Sequence, residues 1–158
     1  MTSSTVARRL RGALVLPVLL APLVLAGCGE DADPFDSYCA VVEEEKPGLS
    51  QVLDDDGGSS GLLPALPTFE RLEEAAPDDI ADDWSVIVQR LGSLADALEA
   101  AGADPATYDP VDPPDGVTPD EQEAIALAAG SVATEAVREA LENVQQQSRD
   151  VCKTELSL

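Results

Sequence analysis

Histidine is absent from the 158 residues, the only methionine is Met1, and lysine occurs only at positions 46 and 153. Without imidazole there is no Ser-His or Cys-His pair to activate a nucleophile, and soft-metal or haem ligation lacks both its His and its Met ligands. A glycine-rich phosphate loop and a Cys-x-x-Cys pair are missing too, which removes the familiar routes to nucleotide binding and thiol redox chemistry. With 31 acids against nine bases, the chain repels phosphate polymers, so no nucleic-acid partner is expected. No reaction motif remains, and the expectation is a protein that is not an enzyme and carries no cofactor.

Charge is also missing along one stretch. Arg8, Arg9 and Arg11 precede an uncharged run from Gly12 to Gly29, the layout of a secretory signal peptide. Its apolar part, GALVLPVLLAPLVLA (Gly12 to Ala26), holds Pro17 and Pro22 and falls short of the roughly 20 residues a spanning helix needs. The run ends in Leu25-Ala26-Gly27-Cys28. These four residues resemble the lipobox of bacterial lipoproteins, in which the cysteine thiol takes a diacylglyceryl group and the peptide is cut just before it. The resemblance implies a signal peptide over 1–27, a lipidated Cys28, and anchoring on the outer face of the cytoplasmic membrane. The alternatives are an ordinary signal peptide cut near Ala26 and, for the export route, a twin-arginine signal at Arg8-Arg9.

Every acid lies after the signal and three of the nine bases lie within it, so from Cys28 onward six bases face 31 acids, a formal charge of −25. Such a surface attracts cations or basic envelope proteins. The scarcity of lysine, the single asparagine at 143 and the abundance of Ala, Asp, Gly, Pro and Val equally fit a GC-rich coding bias. In this style the chain is similar to small, alanine-rich and acid-rich lipoproteins of actinobacteria, a likeness that implies a location and no activity.

Beyond Cys28 two cysteines remain, Cys39 and Cys152, and in an oxidising compartment two thiols pair. Their bond would close nearly all of the exported chain. Residues 28–33 form a short tether, and 34–158 read as one all-α domain, an up-down bundle of about four helices. Asp33 caps a first helix with Pro34 at its first position, and Phe35, Tyr38, Cys39 and Val42 form one stripe until Lys46-Pro47-Gly48. Leu49, Val52 and Leu53 add a further turn. A second helix lies in LPTFERLEEAA, with Leu66, Phe69, Leu72 and Ala76 on one face.

A third helix starts at Pro77-Asp78-Asp79 and carries a heptad seam through Ile80, Trp84, Ile87, Leu91, Leu94, Leu98 and Ala101, closed by Gly102. The fourth opens on a capping box at Thr118-Pro119-Asp120-Glu121 and runs through Ile125, Ala129, Val132, Ala136, Val137, Leu141, Val144 and Val151, with Gly130 its weakest point. In up-down order the start of the first helix meets the end of the fourth, where Cys39 and Cys152 stand.

The candidate interaction surface is a pair of acidic loops. Asp54, Asp55 and Asp56 precede Gly57-Gly58, and Asp104, Asp109, Asp112 and Asp115 surround Tyr108. The first group resembles the opening of a Ca²⁺ loop, but its twelfth position is Ala65 rather than an acid. A five-residue tether reaches at most ~18 Å, so the first helix starts near the lipid and both loops face away from it. That acidic distal cap is expected to meet a basic envelope protein or, weakly, Ca²⁺; the alternative reading is a lipoprotein that binds a small solute or a cation for a transporter or sensor. Tyr108 is the one aromatic outside the predicted core stripes.

Overall fold

The computed structural model describes residues 34–55, 62–156 and 158, and among these every regular element is helical. The five α-helices are α1 (Pro34–Asp55), α2 (Leu66–Ala75), α3 (Ala81–Ala100), α4 (Pro119–Val132) and α5 (Glu135–Asp150). A 3-10 turn, Leu63–Ala65, leads into α2. The capping site Asp33 lies outside the described residues.

The apolar stripe of α1 stays in phase past Pro47. Tyr38, Val42 and Leu49 are buried, and Val52 and Leu53 pack against the same core. The helix therefore continues to Asp55 instead of stopping at Lys46-Pro47-Gly48. A proline inside a helix costs about 3 kcal/mol, and burial of Leu49, worth roughly 1.5–3 kcal/mol, offsets it together with the packing of Val52 and Leu53.

Helix α3 is the central strut, touching α2, α4 and α5. Ile80, Trp84, Ile87, Leu91 and Leu98 of its seam are buried. The helix begins later than Pro77-Asp78-Asp79 because residues 77–80 form a turn, in which Ile80 and Ala81 both donate to the Pro77 carbonyl at 3.0 Å. At the heart of the core the Trp84 indole Nε1 donates to the Tyr38 hydroxyl at 2.9 Å. The Phe69 ring sits 5.7 Å from Trp84, tilted by 42°, within the favourable range for aromatic pairs.

The expected fourth helix is two helices, which makes five rather than four. Its break falls at Ala133-Thr134 and not at Gly130. Thr134 caps α5, its hydroxyl accepting from the Val137 N–H. The break resets the helical phase: Val137, Ala140, Val144 and Ser148 are buried, whereas Ala129, Ala136 and Val151 are exposed.

α4 and α5 together run antiparallel to α3. Asn143 of α5 donates to Asp83 at the start of α3 at 3.0 Å, while Ile125 of α4 packs with Leu98 near the end of α3. Up-down order then brings the end of α5 to the start of α1, where Cys39 and Cys152 are bonded with their Cα atoms 5.0 Å apart. After α5 the chain turns through Lys153 at φ 55°, and Leu156 returns to the core.

Candidate functional site

The core is not uniform from end to end. A main cluster surrounds Trp84 and the disulfide; a smaller one gathers Leu98, Ala103 and Ile125, with Leu63, Leu94, Tyr108 and Val117 packed against it. The smaller cluster lies at the end opposite the disulfide.

Local chemistry builds that end residue by residue. Gly102, at φ 63°, closes α3: its N–H donates to Glu99 C=O at 2.9 Å, and Ala103 N–H donates to Leu98 C=O at 2.9 Å. This is a Schellman closure, and its usual apolar contact is the pairing of Ala103 with Leu98. The chain then crosses from α3 to α4 through residues 103–117. Asp104 Oδ1 accepts from Ala106 N–H at 2.9 Å, and Asp109 Oδ1 accepts from Val111 N–H at 2.8 Å, so both carboxylates fold their own loop. Gln122 Nε2 donates to Val117 C=O at 3.1 Å and ties the loop's end to α4.

Helix α4 starts on the capping box. Thr118 N–H donates to Glu121 Oε2 at 2.8 Å, and Thr118 Oγ1 accepts from Glu121 N–H at 3.3 Å. The Thr118 backbone N–H, and after it the Thr118 hydroxyl donating to the same oxygen at 2.8 Å, hold the Glu121 carboxyl below its ordinary range. Alanine-rich α4 buries only Ile125, and its short side chains cannot fill the space beside Leu94. Between α3, the loop and α4 there remains an open cleft of about 550 Å³, a volume within the usual range for small-molecule sites.

Leu63, Leu94, Leu98 and Ile125 line the apolar floor of the cleft. Tyr108 and the prolines at 105, 110 and 119 contribute from the loop and the start of α4, and Ala126 and Ala129 from its later turns. Gln122 and Glu123 supply the remaining side-chain polarity. From residue 91 to 137 the chain contains no Lys, Arg or His, so every charged side chain on this stretch is a carboxylate.

The predicted site residues fall as follows. Cys28 and Asp56 lie outside the described residues. Asp54 is exposed near the end of α1, and Asp55 ends that helix. Asp104, Asp109, Asp112 and Asp115 are exposed on the crossing loop, whereas Tyr108 is half-buried against the second cluster. Among the described residues no three of His, Cys, Asp or Glu come together as a metal ion would require. The cleft itself was hidden in the sequence because Leu94 and Ala129 read as core positions; the alanine-rich face of α4 was the available signal. Comparison of the chain with family models, with curated proteins and with solved structures returned no match.

Proposed function

We propose that the protein is a lipid-anchored, extracytoplasmic, non-catalytic binding module, held on the outer face of the cytoplasmic membrane by a diacylglyceryl group on Cys28, and that its binding site is the cleft between α3, α4 and the 103–117 loop. The observation that carries the binding half is that preformed apolar space of about 550 Å³. A stably folded chain fills its interior, and here Leu94, on the heptad seam of α3, is only partly buried and lines the cleft. Such a space suits a small solute better than a hard cation, which needs several converging oxygens.

The anchoring half rests on the basic block, the apolar run and Leu25-Ala26-Gly27-Cys28. The Cys39–Cys152 bond accords with an oxidising compartment. No helix of the described residues is long and apolar enough to cross a membrane.

Two experiments test the two halves. Cys28→Ala should abolish lipid incorporation and release the protein from membranes; unmodified mass on the wild type with membrane retention intact in the variant refutes the anchor. A thermal-unfolding screen against small apolar compounds should raise the wild-type midpoint, and the shift should vanish in Ala126→Trp, where an indole occupies the cleft. Shifts that survive the substitution place binding elsewhere.

A further inference from the structure

The cleft combines two properties that together define the chemistry of its occupant. Its floor is aliphatic, from Leu63, Leu94, Leu98 and Ile125, and would bury an apolar body. Its charged lining group is Glu123, and its one aromatic lining residue is Tyr108. The other ionised side chains of the surrounding segment, among them Asp96, Glu99, Asp104 and Asp109, are acids as well. The nearest basic residues in sequence are Arg90 and Arg138, each outside the stretch that builds the cleft. Arg138, moreover, is engaged by Glu135 and Glu142 on its own helix.

We infer that the cleft takes a lipophilic organic cation: a small molecule with an apolar or aromatic body and a single quaternary or protonated centre. This rests on the binding-module reading above. The apolar body lies on the leucines, and the cationic centre meets the Glu123 carboxylate and the Tyr108 ring, whose electron-rich face attracts cations. Gln122 is tied to the Val117 carbonyl through one amide N–H. An anion of equal size would have the same floor but no basic side chain in the lining to meet its charge, and the field of the neighbouring carboxylates would oppose its approach.

Three probes separate these contributions: tetraphenylphosphonium, its near-isosteric anion tetraphenylborate, and the smaller neutral triphenylphosphine oxide. In calorimetric titration of the full chain at low salt, tetraphenylphosphonium should bind saturably at one site, the neutral probe more weakly, and the borate not measurably. Glu123→Gln should weaken the cation roughly two- to five-fold, the worth of one exposed charge contact, and leave the neutral probe unchanged. Tyr108→Leu, which keeps apolar volume and removes the ring, should weaken the cation more than the neutral probe. Ala126→Trp should block both, and because Ala126 is exposed it leaves the core intact.

Equal binding of all three probes, all blocked by Ala126→Trp, overturns the cation assignment while the binding cleft stands. Cation binding that survives Ala126→Trp also overturns it, since that would be attraction to the acidic surface at large. No binding of any probe overturns the assignment and removes the support for the cleft as well.

Discussion

Tyr38 and Trp84 share the most consequential polar contact in the core. Both side chains are fully buried, and the Tyr38 hydroxyl is the acceptor for the indole N–H. Removing it by Tyr38→Phe strands a buried donor, a loss of about 1–3 kcal/mol, to be read from urea unfolding at pH 7. The same burial pushes the Tyr38 hydroxyl up to about 12 from its ordinary 10.0. Below pH 10 both folded and unfolded chains hold the proton, and the contribution is complete. As pH rises above 10 the unfolded chain loses its proton first, so stability falls by about 2–3 kcal/mol by the time the folded group titrates. Tyr38→Phe lacks that decline, and the two pH curves should converge in alkali. Parallel curves would mean that Tyr38 does not titrate as a buried group. This pair was partly legible: Tyr38 and Trp84 each stood on an apolar stripe, but their mutual contact joins residues 46 positions apart, which no periodicity reports.

The helix ends at Gly102 and Thr118 are legible in the sequence where helix continuity is not, for a physical reason. A cap is a local bargain among four or five residues, so Thr118-Pro119-Asp120-Glu121 and Gly102 carry their own evidence. Whether a helix survives Pro47, or breaks at Thr134, depends on what its far face buries. Leu49 kept α1 running, and the new phase of Val137, Ala140 and Val144 favoured a fresh start for α5. Ala140 and Ser148 were missed as core positions because the phase was carried unbroken from α4. The caps themselves make a prediction. Gly102→Ala forces a side chain into left-handed backbone and should cost about 1–2 kcal/mol; Thr118→Ala removes the hydroxyl's bonds to the Glu121 N–H and carboxylate, keeps the backbone N–H bond to Glu121, and should cost about 1 kcal/mol. Denaturant midpoints measure both, and a neutral Gly102→Ala would mean that the α3 closure is not the anchor of the crossing loop.

The whole molecule is tied at one end and open at the other. The Cys39–Cys152 bond spans 113 residues, and the chain-entropy estimate for a loop of about 100 residues is near 4.7 kcal/mol, within a usual range of about 2–5 kcal/mol for native bonds. Reduction, or the double change Cys39→Ala and Cys152→Ala, should therefore lower unfolding stability by several kcal/mol, and an unchanged midpoint with and without reductant would contradict that contribution.

At the open end, the loop and its acids are legible in the sequence, and the cleft beneath them is not. A cleft arises where side chains are too short to meet, and that depends on how far apart α3 and α4 are held. Small residues at Ala126 and Ala129 permit the gap; only the packing of Leu98 against Ile125 sets its position.

Titration of tetraphenylphosphonium into isotope-labelled full chain, followed by amide NMR, addresses the location of binding directly. The cleft predicts saturable shifts concentrated on Leu94 to Leu98, around Tyr108, and from Gln122 to Ala129, with the disulfide end unmoved. Saturable shifts centred on α1 and α2, or non-saturating shifts spread over the acidic surface, would contradict it.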